Sequence, residues 1–446
     1  MFAIETEVAQ SIANRLRTRI SARERAAIQG RPTRDLAAYD FYVRAMPLLE
    51  GEAFSYTKEK ELSQALDLLE QAVTRDSSFL LAYCWLARAH DTVYQEGIDH
   101  TPARLAEAKS AIDSAFRLKA DSGEAHLALG LHFYWGYFDY DRARAELAIA
   151  RRTLPNNPQV FEVTGWIDRR HGRWADAIRN FELASELDPR NISLARNLTA
   201  AYFVSRAYDQ TSKALDRLYA LNPNDLGARL DRGGELEMHW RGDTRRWHAV
   251  IEKVLAADPS SAEDPLMKDE RFRLALFERD FVAAGRVLAA VPEKNPFDDG
   301  YSRDFWTGVV ARTKGDVAAA RAAFTTARAQ QDERIRTAPP DDAHELSALG
   351  VIDAALGRKE DALREGRRAV ELMPVAKDSL EGPPLVCNLA WIYAWTGERD
   401  LAISQLEILA KIPCGPSYGC LRLDPVWDSL RGDPRFEKMV ASLAPK

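Results

Sequence analysis

Chemistry in this 446-residue chain would have to start from eight histidines, four cysteines and a spread of carboxylates. His126 and His132 fall six positions apart, which does not place them on one helical face, so they do not read as a metal-binding pair. His239 and His248 stand near Trp240, Arg245, Arg246 and Trp247, a denser grouping that reads as structural or groove-lining ahead of catalytic. His344 lies beside acids at a helix start, where capping accounts for it. Cys414 and Cys420 enclose the loop GPSYG. A disulfide across that loop is geometrically allowed, but so few cysteines make no disulfide framework, and a reducing compartment disfavours the bond. Cys84 and Cys387 sit in helix patterns as small apolar residues.

Motifs that organise such residues into catalysts are missing from the sequence. It contains no GxxxxGK[ST] phosphate loop, no GxSxG elbow, no HExxH and no CxxC. Acids such as Asp141 and Glu146 have no facing partner identifiable from spacing and read as solvated helix faces. The expectation is therefore a non-enzyme without catalytic residues, metal or cofactor.

The elements that would position any site come from a repeat. Pro155, Pro189 and Pro223 follow one another at steps of 34 residues, and the segment GRWADAIRNFELASELDPRN, 172–191, shows the unit that ends at such a proline. Ala177, Phe181 and Ala184 share one helical stripe. The same outline returns at Ala65, Leu69 and Ala72; at Ala108, Ile112 and Ala115; at Ala143, Leu147 and Ala150; at Leu215 and Leu218; at Ala320, Phe324 and Ala327; at Ala362 and Ala369; and at Ala402 and Leu406. Weaker copies end at Pro259 and centre on Ala284 and Leu288. Gly172, Gly315, Gly357 and Gly397 each stand five residues before a key alanine, where a left-handed residue would end the first helix of a pair.

These residues resemble the tetratricopeptide repeat (TPR) family, whose 34-position pattern of small and large residues is matched almost throughout by 158–191. The resemblance extends over about 36–416 and implies an all-α TPR solenoid, a right-handed superhelix of about nine or ten helix-turn-helix repeats. It divides the chain into a capping or linker region 1–35, an N-terminal array 36–260, an irregular repeat or hinge 261–300, a C-terminal array 301–416 and a capping segment 417–446. An insertion, VYQEGIDHTP, interrupts the unit at 80–122. The flanks MFAIETEVAQSIANRLRTRISARERAAI and PSYGCLRLDPVWDSLRGDPRFEKMV look like the borders of the C-terminal repeat region in bacterial TolB-like and adenylate cyclase-type TPR signalling proteins. On that resemblance a first helix at about Thr6 to Thr18 either caps the array or once faced an output domain.

The family resemblance also implies which side chains line the concave groove: among them Tyr134 and Trp135, then Trp166, Arg169 and Arg170, then Arg196 and Phe203, and His239 with Trp240 next along. Trp and Tyr offer stiff contact area and Arg forks hold carboxylates, so Trp135, Trp166, Arg169, Arg170 and Arg196 would suit a peptide with an acidic group or a C-terminal carboxylate. Each tryptophan reads equally as packing between repeats, and each arginine as a surface partner of nearby acids. The expected function is a protein- or peptide-binding scaffold; the alternative is the regulatory arm of a bacterial signalling enzyme or transcription regulator. With 61 basic and 67 acidic residues and a net charge of −6, no basic face stands out and no nucleic-acid partner is expected. No apolar run approaches the roughly 20 residues of a membrane span, and a cytoplasmic setting is expected.

Overall fold

The computed structural model of the chain describes residues 31–50, 58–294, 296, 297 and 299–445. The anticipated helix at 6–18 lies outside them. Among the described residues there are 23 α-helices and no strand. They belong to two compact units that divide between Ile167 and Asp168.

The first unit holds α1 (Leu36–Glu50), α2 (Lys58–Arg75), α3 (Leu80–Gln95), α4 (Pro102–Leu118), α5 (Gly123–Tyr137), α6 (Tyr140–Thr153) and most of α7 (Pro158–Arg170). Each hairpin buries the alanine–large–alanine stripe of its second helix: Ala65, Leu69 and Ala72 on α2, Ala108, Ile112 and Ala115 on α4, Ala143, Leu147 and Ala150 on α6. Helix α5 lies so close to α6 that a Cβ at Gly130 would stand 3.2 Å from Leu147 Cγ. Side-chain caps open α4, α5 and α6, where Thr101, Ser122 and Asp139 accept from the amides of Arg104, Ala125 and Arg142. The inserted VYQEGIDHTP makes a turn in which the Tyr94 and His100 rings stack 3.8 Å apart.

The second unit continues with α8 (Trp174–Leu187), α9 (Ile192–Val204), α10 (Tyr208–Leu221), α11 (Leu226–Leu230), a π-helical turn Asp231–Glu235, α12 (Leu236–Arg241) and α13 (Arg245–Ala257). After a 3₁₀ turn Pro259–Glu263 come α14 (Pro265–Phe277), α15 (Phe281–Ala289), α16 (Arg303–Lys314), α17 (Val317–Thr337), α18 (Ala343–Ala355), α19 (Lys359–Leu372), α20 (Gly382–Trp395) and α21 (Arg399–Leu409). A short α22 (Tyr418–Leu423), a second 3₁₀ turn Pro425–Leu430 and α23 (Pro434–Ser442) end it. The stretch 261–300 thus carries the helix pair α14–α15 followed by an irregular segment. Gly172, Gly315, Gly357 and Gly397 all take positive φ, between 73° and 85°, at the turns between paired helices.

Helical hairpins with this step and this alternation of small and large contacts make the fold all-α and of the TPR type. The second unit adds something a plain repeat does not require: it closes on itself. The Ser379 amide donates to the Arg170 carbonyl at 2.7 Å, and the Trp174 indole N–H to Ser379 Oγ at 2.9 Å. Farther on, the Cys414 amide donates to the Val204 carbonyl at 3.0 Å. The Arg206 guanidinium donates to the carbonyls of Leu409 and Ile412 at 3.0 Å each. Gly419 sits on the Met238 carbonyl, where a Cβ would come within 1.8 Å of the oxygen. Segments about 200 residues apart in sequence are therefore in backbone contact.

Candidate functional site

The candidate groove residues fall in both units, and each unit arranges its own. In the first, α5 carries Tyr134 and Trp135 and α7 carries Trp166. The two indoles lie 5.9 Å apart and tilted by 37°, and the Tyr134 ring is 5.9 Å from Trp166. Tyr134 is buried, whereas both tryptophans are half-buried, so each indole has one side in the core around Leu131 and Ile167 and another open. At the end of α5, Tyr137 and Phe138 stay 52% and 63% exposed, with Phe138 in the left-handed conformation that stops the helix. The two helices that carry these rings, α5 and α7, are the first helices of neighbouring repeats.

In the second unit the arginines have partners from the same chain. Arg170 donates to Asp378 at 3.0 Å and to Glu381 at 2.7 Å. Arg196 pairs with Asp225, the residue that caps α11. Arg169 is half-buried, and its Nε finds no acceptor among the described residues. Phe203 stands edge-on to the His239 ring at 4.9 Å, and Trp240 stacks on Tyr208 at 5.7 Å.

His239 is the hinge of a polar cluster. The π-helical turn before it is permitted by Gly233 and Gly234; a Cβ at Gly234 would lie 2.2 Å from the Trp247 backbone. Such turns insert one residue into a helix and recur at functional sites. Here the turn delivers Glu235 one helical turn before His239, and Glu235 Oε1 lies 3.3 Å from His239 Nε2. The other ring nitrogen, Nδ1, lies 3.0 Å from Ser417 Oγ and 3.4 Å from Cys420 Sγ. Protein surrounds these groups, yet 15% of the His239 side chain and 22% of that of Glu235 remain open.

Electrostatics follow from that enclosure. Burial opposes a charge on His239, but Cys420 and Glu235 outweigh it and hold the imidazolium up to about 10. Burial likewise raises the Cys420 thiol, and the His239 cation with the hydrogen bonds from His239 and Ser417 more than reverses it. Deeper in, burial with the Glu235 charge lifts Glu270 to about 9, while the Trp247 indole N–H donates to its carboxyl at 2.6 Å. Burial raises Asp424 and Asp299 to about 6.

The four cysteines are free, so Cys414 and Cys420 are not bridged. His126 and His132 do not converge: His126 meets Glu146 at 2.6 Å, and the buried His132 meets the buried Asp91 at 2.8 Å. No group of three or more metal-ligating side chains occurs among the described residues. Sequence reasoning placed His239 in the groove but missed Cys420 and Ser417 beside it. They are about 180 residues away and carry no repeat signal.

No protein-family model matches the chain. Human tetratricopeptide repeat protein 13 is 28% identical over 192 residues, 40% of this chain, and the chain spans only 20% of that relative's length. Among solved structures, a tetratricopeptide repeat protein from Parabacteroides merdae is 20% identical, with 60% of this chain and 97% of that one covered at a TM-score of 0.41. The human IFIT1 dimer with m7Gppp-AAAA is 16% identical, with 83% and 76% covered at 0.43. YrrB, a TPR protein with an unusual peptide-binding site, is 19% identical, with 47% and 97% covered at 0.27. No helix among the described residues is long and apolar enough to cross a membrane.

Proposed function

We propose that this chain is a non-enzymatic scaffold of the cytoplasm that binds a protein or peptide through the first helices of its repeats. The observation that carries this reading is the cluster Tyr134, Trp135 and Trp166: large rings within 5.9 to 6.5 Å of one another, on successive first helices, with both indoles half open. Stiff aromatic area of this kind supplies binding energy at low conformational cost. In the second unit Arg170 and Arg196 already hold carboxylates of this chain, those of Asp378, Glu381 and Asp225, which leaves Arg169 as the fork for a partner's carboxylate.

The test is affinity capture from native lysate by the chain and by its Trp135→Ala/Trp166→Ala variant, matched by circular dichroism. A specific protein partner whose affinity drops at least about tenfold in the variant is the expected result, since anchoring aromatics commonly carry that much. Equal recovery by both chains, or recovery of RNA alone, would overturn the reading.

A further inference from the structure

The polar cluster in the second unit contains a nucleophile that binding does not use. Cys420 Sγ, His239 Nδ1, His239 Nε2 and Glu235 Oε1 form an unbroken line, with contacts of 3.4 Å and 3.3 Å. Thiol, imidazole and orienting carboxylate in that order are the arrangement that activates cysteine elsewhere. Ser417 completes it: its hydroxyl lies 3.0 Å from Nδ1, and it accepts the Cys420 amide at 3.1 Å.

The imidazole has acceptors on both sides. Glu235 as a carboxylate requires a proton on Nε2, and a thiolate at Cys420 requires one on Nδ1, so the geometry is satisfied when the ring is a cation between two anions. Cys420 is partly exposed as a residue, and 15% of the His239 side chain and 22% of that of Glu235 are open beside it.

We propose that Cys420 is a reactive thiolate, held by His239 and Glu235, and a site of covalent modification by soft carbon electrophiles. In such a step the sulfur lone pair forms an S–C bond as the carbon–leaving-group bond breaks. With iodoacetamide the products are the carbamidomethyl thioether and iodide, and His239 keeps its proton, still paired with Glu235. The inference is independent of the peptide-binding reading, since neither Trp135 nor Trp166 takes part.

The other cysteines are internal controls. Burial pushes Cys387 and Cys414 up to about 12, and Cys84 is raised as well. The groups that face Cys420 are His239, Ser417, Asp424, Tyr208 and Cys387; behind the imidazole stands Glu235, itself faced by Asp231, Glu270 and Arg273. Of these, Asp424 opposes the thiolate and His239 outweighs it.

The experiment treats the full chain with iodoacetamide from pH 6 to 9 and follows each cysteine by peptide mass. Cys420 is expected to react at least about tenfold faster than Cys414 at pH 6, with little further gain up to pH 8, because its thiolate is already present. His239→Asn should slow Cys420 about tenfold or more at pH 6 and leave it with the steep rise toward pH 9 of an ordinary thiol. Glu235→Gln, which keeps the imidazole, should give an intermediate rate; it decides the matter should His239→Asn not fold. Labelling of Cys420 no faster than Cys414 at pH 6, or a pH profile that both substitutions leave unchanged, would overturn the proposal.

Discussion

One repeat grammar yields two different results in this molecule. In the first unit each helix packs on its neighbours in sequence, and the first helices keep the indoles of Trp135 and Trp166 half open. In the second unit the helices from α16 to α21 carry the later segments back onto α8, α9 and α12, and non-repeating segments occupy side chains that a groove would offer. Arg170 is held by Asp378 and Glu381, and His239 by Ser417 and Cys420. A repeat therefore specifies where a side chain points, and the non-repeating segments 374–382 and 410–431 specify whether it is available.

The comparison is broken most severely at the contact that closes the second unit. Gly419→Ala drives a Cβ into the Met238 carbonyl, backbone against backbone, which neither side can relieve by a rotamer change. A loss of about 3 kcal/mol is expected. Hydrogen exchange should show it as faster amide exchange in 409–424 with unchanged protection in 60–150. Unchanged exchange in 409–424 would mean that the closure contributes little to the second unit.

A change of pH should separate the units by sign. In the first, burial and then the Arg104 charge hold His90 down to about 4, below its unfolded value of 6.5, so the neutral ring is favoured on folding. That contribution is present above pH 6.5 and is lost as pH falls toward 4. In the second, burial and the Glu235 charge raise Glu270 from 4.5 to about 9. Folding there favours the proton, so stability is greatest below pH 4.5 and declines as pH rises toward 9. Between the unfolded values of 6.5 for the imidazole and 9.0 for the thiol, the His239–Cys420 pair adds little slope, because cation plus thiolate carry as many protons as neutral imidazole plus thiol. Segment-resolved exchange at pH 5, 7 and 9 should show the first unit weakening in acid and the second in base. Glu270→Gln should flatten the alkaline loss.

The smallest effect sharpens the contrast between enclosed and surface contacts. Arg279 reaches both oxygens of Asp428 at 2.8 Å, but both side chains are about a third or more exposed. Arg279→Ala is expected to cost only about 1 kcal/mol in urea denaturation, because solvent screens the pair. A cost as large as that of Gly419→Ala would place this ion pair among the contacts that hold the closure.

The repeat was legible because its signal is local. Ala177, Phe181 and Ala184 share a stripe by helical geometry alone, and all three are buried; Gly172 was read as a left-handed stop and has φ of 73°. Trp135 and Trp166 meet because one repeat step separates their helices, a spacing that is local in the sequence. Arg170 was read from the resemblance as a groove residue for an acidic group of a partner, and its partners within the chain were not legible, because Asp378 lies 208 positions away and nothing in either segment names the other. The π-helical turn at Asp231–Glu235 was also out of reach: the paired glycines mark a weak point in a helix without saying that Trp247 will press into it.

By itself the sequence determined the helices, their pairing, the buried stripes and the absence of familiar catalytic motifs, all of which depend on residues within about one repeat of each other. Only the tertiary structure decided that Cys420 would meet His239 and that the second unit would close. Small rotations between successive repeats add up over some 200 residues, and where the sum brings two segments together depends on every packing contact in between.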